Sequence, residues 1–328
     1  HQSMGAMIVL LVSGLGMGRG HLSAVFRKAF YGDSAVDDSD EVLSYRTAVF
    51  GMLGGLLVVS LWLWQSGMPL WIVPIFLFAV LVIFVTLTRA VVEGGVAVIR
   101  APLMPADFVI SGFGTQALGA FGIASMGLTW VWASNIRIFF MPAFANALRL
   151  AEEIGHDKRR LKWAVAIAVL LAIGGSLWCV MVMAYEYGGV NLHGFWFIGV
   201  PSRGGLFASQ FYHNPSPPSW SGWLFTGIGA GFQGLLIVAR ARFIWWPLHP
   251  LGFAISTFLI MTYVWFSIFL SWGIKSIVLK YGGPGLFRST RPFFLGLIMG
   301  QIFVAGMWLV IDFFTGMVGN APIGGSFV

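Results

Sequence analysis

Between Arg46 and Arg89 the chain carries no charged side chain. A stretch that long, rich in Leu, Val, Phe and Trp, fits either the interior of a very large core or lipid. Composition decides between them. Nineteen basic and twelve acidic residues make 9% of a 328-residue chain that is 58% hydrophobic, whereas a soluble domain is about one quarter charged. So few charges do not clothe a core of this size in water, and the chain therefore uses lipid as its solvent. Its apolar stretches are continuous rather than alternating, which excludes an outer-membrane barrel. The expected fold class is all-α: a polytopic helical integral membrane protein of about six to seven spans plus interrupted or re-entrant segments.

The formal net charge of +7 belongs in such a chain to cytoplasmic loops, where basic residues set orientation. No basic stripe with a stacking platform is present, so no nucleic-acid partner is expected. The single cysteine, Cys179, excludes an internal disulfide, a thiolate zinc site and a cysteine-ligated iron–sulfur cluster. No metal site and no cofactor is expected.

Residues 1–328 read as a single transmembrane domain, with an apolar run close behind His1 and no charged segment before it, as in a piece of a longer chain. Met4 to Met17 is short for a span of ~20 residues. Residues 19–46 read as a cytoplasmic loop, with Arg19, Arg27, Lys28 and Arg46 around an acidic cluster. Thr47 to Trp64 and Leu70 to Thr88 are spans joined by an uncharged turn. The Gly-rich run 111–134 suits close helix contact or a re-entrant loop. Residues 139–162 read as an amphipathic cytoplasmic helix ending in Lys158, Arg159, Arg160 and Lys162. A span follows to Tyr185, and 186–220, with one basic residue, Arg203, and many aromatics and prolines, reads as an external loop.

Ser221 to Ala239 crosses back. Beyond it, charge and span count conflict: a single crossing over Leu251 to Trp272 places Lys275, Lys280, Arg288 and Arg291 outside. Either 243–274 is a re-entrant hairpin broken at its prolines and Gly252, or the topology is an exception. Pro292 to Gly316 is the last span.

Few groups suited to chemistry remain once loops are set aside. Arg89 and Glu93 follow an apolar run at i, i+4 spacing, just before Gly94 and Gly95. One reading makes them a functional pair beside a broken helix, since charges inside a membrane protein face a bundle interior or a path. The other makes Arg89 an interfacial cap with Glu93 as its helical partner. His249 stands between two prolines beside Trp245 and Trp246, either as a proton relay or ligand, or as one more polar group in an aromatic belt. Gln116, Asn135, Arg137, Gln301 and Asp312 complete the candidate solute or ion path, with Gln233 as a further polar residue in a span. Each also suits a simple interhelical hydrogen bond. The Walker A loop, HExxH, CxxC and GxSxG are all missing, and no enzyme is expected.

Thr88-Arg89-Ala90-Val91-Val92-Glu93-Gly94-Gly95, Met141-Pro142-Ala143-Phe144-Ala145-Asn146-Ala147-Leu148, Trp245-Trp246-Pro247-Leu248-His249-Pro250-Leu251-Gly252-Phe253 and Arg291-Pro292-Phe293-Phe294-Leu295-Gly296 resemble a bacterial family of uncharacterised polytopic membrane proteins, distantly similar to oligopeptide transporters. The resemblance covers nearly the whole chain and corresponds to the C-terminal half of a longer protein. It implies no substrate and no catalytic residue. The function expected is a secondary transporter or transporter-derived domain of the bacterial inner membrane. It would move a small solute, with ion coupling through Glu93 or His249. The other reading is a non-catalytic subunit of a larger membrane assembly. Membrane lipids, an upstream half of the protein or other membrane subunits are the expected partners.

Overall fold

The computed structural model describes residues 1–95, 101–133, 140–154, 158–257 and 259–317, in two compact units, 1–258 and 259–328. The structure is all-α and polytopic. Five helices are long and apolar enough to cross a membrane, or up to six if a bent pair near the start counts as one span.

In the first unit, α1 (Gln2–Met17) bends by 68° into α2 (Arg19–Tyr31). The stretch 19–46, read above as a loop, thus begins with a helix; Gly32, in the left-handed region with φ 69°, ends it. Ser44 starts α3 (Tyr45–Gln65) by accepting a hydrogen bond from the Thr47 amide at 3.2 Å. A short turn leads to α4 (Ile72–Gly94), whose Phe76, Ile83 and Leu87 are fully buried.

The Gly-rich run folds as two short helices, α5 (Pro105–Phe113) and α6 (Thr115–Leu128), separated at Gly114 and bent again at Gly119. Gly114 takes φ 78°, and its bare α-carbon lies against Pro218 and the Ser216 carbonyl. A side chain there is excluded both by conformation and by space. The expectation of close helix contact is met farther along α6: Gly127 lies backbone to backbone against Gly204.

Gly204 belongs to α9 (Val200–His213), a helix inside 186–220, which the sequence reads as a loop. Its small and polar residues hide a short apolar face, Phe207 and Phe211, that has meaning only against α6 and the core. Before it come α7 (Met141–Ile154) and α8 (Lys158–Tyr187). In α7, Phe144, Ala147, Leu148 and Ala151 are half-buried while Arg149, Glu152 and Glu153 are exposed and paired, but the helix ends at Ile154, and the basic cluster Lys158, Arg159, Arg160 and Lys162, read above as its end, opens α8 instead. The apolar window of α8 has no buried residue.

Then α10 (Trp220–Arg242), capped by Ser219 on the Gly222 amide at 3.0 Å, runs beside α1 in the same direction. The contact is made by backbone. Gly5 rests on the Thr226 carbonyl and the Ala230 amide, and Gly229 rests on Gln2. After the FIWWPLHP segment, a six-residue helix α11 (Pro250–Ile255) buries Leu251, Ala254 and Ile255 against α1, α10 and α4.

The second unit holds α12 (Leu259–Ile277), a π turn at Val278–Gly282 and α13 (Gly283–Thr315) with Pro292 inside it. Lys275 and Arg291 both stack on the Phe287 ring, at 5.6 and 5.9 Å. At 1.5 Å per residue α13 is about 50 Å long, more than a ~30 Å hydrocarbon core requires.

A side chain at Gly229 or Gly5 must push α1 off α10. Gly229→Leu is expected to cost about 1–3 kcal/mol, whereas Gly227→Ala, which meets open space, leaves stability unchanged or slightly raised. Thermal unfolding of the detergent-purified protein measures both.

Candidate functional site

The first unit has two different ends. Where α1 and α10 begin, turns interlock through small polar groups. The Thr115 amide donates to the Ser216 carbonyl at 3.0 Å, Ser66 and Ser125 hydroxyls meet at 2.8 Å, and Trp223 Nε1 donates to the Gly112 carbonyl at 3.0 Å. The His1 ring joins Ser111 at 3.0 Å and Thr226 at 3.4 Å. Gln116 is exposed at this end.

At the other end lie Arg89 and Glu93, in the last turns of α4. Arg89 Nε donates to Glu93 Oε1 at 2.7 Å, and their side chains are 29% and 42% exposed. That exposure puts the pair at the rim of the bundle rather than in its interior. The helix is also not broken within a span: it terminates, with Gly95 at φ 64° returning its amide to the Val91 carbonyl. The Arg89 guanidinium lies beside Gly14 of α1, Nη1 being 3.5 Å from where a Cβ would stand, an ordinary contact distance.

His249 comes to the same place from far along the sequence. It lies in the linker between α10 and α11, outside the spans, and caps α11: Nδ1 accepts from the Leu251 amide at 3.2 Å. That bond requires an unprotonated Nδ1. The ring titrates below the ordinary histidine value, first because surrounding protein desolvates it, then because Arg240 adds positive charge, with Arg89 adding to this and Glu93 opposing it. Arg240 and Arg242 end α10 at this rim. Fold and field together therefore place Arg89, Glu93, His249 and Arg240 in one cluster.

From this rim α11 turns inward. Its start senses Arg240, whereas just past its end Thr257 Oγ1 meets Ser3 Oγ of the first turn of α1 at 2.7 Å. Gly14, beside Arg89, is eleven residues from Ser3, or about 16 Å along the helix axis. The segment 243–257 therefore runs along α1 from the basic end to its first turn.

The remaining candidates fall elsewhere. Gln301, exposed, and Asp312, half-buried, belong to α13 in the second unit. Asn135 and Arg137 lie outside the described residues. Among the described residues no group of three or more His, Cys, Asp and Glu is placed to hold a metal ion.

One residue that the sequence sets among several polar groups stands apart in the structure. Gln233, on α10, has no exposed surface, and neither end of its carboxamide has a hydrogen-bond partner among the described residues. The sequence signal was faint: a glutamine amid Gly227, Gly229, Gly231 and Gly234. Gln116, of the same type and also in a Gly-rich run, sits in the open.

His249→Ala removes the α11 cap and is expected to cost about 0.5–1 kcal/mol. Because the folded state keeps the ring neutral, its contribution is full above the ordinary value of 6.5 and declines as pH falls below it, where the unfolded chain takes up the proton first. His249→Asn keeps a cap without a titrating group, so its unfolding temperature should fall less than the parent's between about pH 8 and pH 5.5. A parallel fall in both proteins would count against this assignment.

No curated protein and no solved structure matches the chain significantly. The profile of a family of unknown function (DUF6785) matches residues 1–322, and the chain belongs to that family.

Proposed function

We propose that this chain is a secondary transporter, or a transporter-derived membrane domain, that moves a small solute across the inner membrane of a bacterium. The observation that carries the reading is α11, a six-residue helix that lies buried between the charged rim and the opening turn of α1. Discontinuous helices of this kind build the sites of many transporters, because their free ends supply unpaired backbone groups at depth. The break between α5 and α6, and the bend at Gly119, add two more interruptions, beside the core that α4, α5 and α6 share. Glu93 and His249 are the titratable groups at the mouth of α11, and proton coupling is assigned to them. The likeness to oligopeptide transporters and a place within a longer protein belong to the same reading.

The second reading is a non-catalytic subunit of a larger assembly. It draws on α8, whose apolar window has no buried residue and so offers itself to lipid or to another chain.

Accessibility separates the two without knowledge of the substrate. Ala254 of α11 has no exposed surface, and Cys179 is the only native cysteine. In a Cys179→Ser background, Ala254→Cys should react with a membrane-impermeant maleimide within minutes in native membranes, since a transporter opens this segment to water in turn. A thiol that stays dark from both sides while the denatured protein labels fully would remove the transporter reading and leave the subunit.

A further inference from the structure

A wholly buried glutamine without a hydrogen-bond partner is among the more costly groups a bundle can retain, because each end of the amide has given up water for nothing. Among the described residues Gln233 has that environment, near the middle of the 23-residue α10. Its face of the helix is defined. Thr226, Gly229 and Ala230 touch α1 at Gly5 and Gln2, and Gln233 continues that stripe one turn on, with buried Leu236 beyond it. Gln233 therefore shares the face of α10 that packs on α1. On one side of it along the seam lie the hydroxyls of Thr226 and of Ser3 with Thr257. On the other lies the rim of Arg89, His249 and Arg240.

Charge selects the ligand class. Among the described residues the buried polar side chains are Ser3, Thr86, Thr115, Ser125, Thr129, Thr226 and Gln233, none of them ionisable as a charge carrier. An ionic solute at this depth would meet no counter-charge, and its desolvation would go uncompensated. A neutral solute that accepts from Nε2 and donates to Oε1 would satisfy both ends of the amide at once.

We infer that Gln233 is the binding residue, at mid-depth in the α1–α10 seam, for a small uncharged solute carrying both a hydrogen-bond donor and an acceptor. This inference rests on the transporter reading. Because Gly5 and Gly229 hold the two backbones in contact beside the amide, the solute reaches it only when α1 and α10 part. The closed seam is thus the occluded state of the site.

The test uses the full chain, with Gln233→Met and Gln233→Leu as apolar replacements of similar volume. If the amide serves a ligand rather than the fold, both variants should unfold at least about 2 °C higher than the parent, since each removes a buried unpaired group. Urea, glycerol and acetamide are the probes, added to proteoliposomes in stopped-flow light scattering and to detergent-purified protein in thermal unfolding. At least one probe should equilibrate ten-fold faster than in protein-free liposomes and should stabilise the parent. Both effects should be lost in the two variants.

Variants that unfold several degrees lower than the parent would show a structural role and overturn the assignment. Flux unchanged in the variants would overturn it while transport stands. Stabilisation of the parent alone, with no flux of any probe, would uphold the binding residue and remove transport. No flux and no stabilisation by any probe would overturn the neutral-solute class.

Discussion

The first unit depends on how closely α1 lies against α10. Lipid gives two apolar helices no hydrophobic reason to associate, so contact must come from dispersion and from the close approach of backbones. Gly5 and Gly229 make that approach by having nothing between the helices, one resting on the Thr226 carbonyl and the other on Gln2. The same device recurs where Gly127 meets Gly204, between α6 and α9. A chain with 43 glycines thus uses a few of them as the bonding surface of the bundle.

That seam organises what lies at its ends and along its length. At one end hydroxyls, amides and an indole knit the turns together, with no charge needed. At the other, the Arg89 guanidinium lies beside Gly14, and Glu93, Arg240 and His249 gather near it. Between the two, α11 leaves the charged rim and reaches Ser3, so the hydroxyls of Thr257, Ser3 and Thr226 lie along a bundle whose buried side chains are mostly apolar. Gln233, on the same α10 as Thr226, is a buried amide that no other described residue satisfies. Its cost to stability is the physical reason to look for its use there.

Much of this fold is legible in the sequence because hydropathy is a property of neighbours along the chain. The spans from Thr47 and Leu70 appear as α3 and α4, and the amphipathic pattern appears in α7, although the basic end assigned to it opens α8. What hydropathy misreads are helices whose stability comes from elsewhere. Arg19–Tyr31 and Val200–His213 look like loops because their polar residues dominate any local average, yet α9 is held by Gly204 and Phe207 against the core. The pair Gly94 and Gly95 looked like a break within a span; it is the cap that ends α4, and the distinction turns on one left-handed glycine. The candidate site was legible in its rim alone. Arg89, Glu93 and His249 are conspicuous by charge or by flanking prolines, and the structure sets them together, while Gln116 goes to the opposite end.

The sequence by itself determined the solvent. With 9% charge against 58% hydrophobic residues no arrangement of this chain is covered in water, and a backbone in lipid must close its own hydrogen bonds as helices. Which polar group would be walled off from that lipid was decided only by tertiary structure. Ser3 and Thr257 are 254 positions apart and share a hydrogen bond, and Gln233 is buried on a helix whose main neighbour, α1, comes from the far end of the chain. Burial is a sum over partners brought from distant positions, and no local pattern around a glutamine reports it.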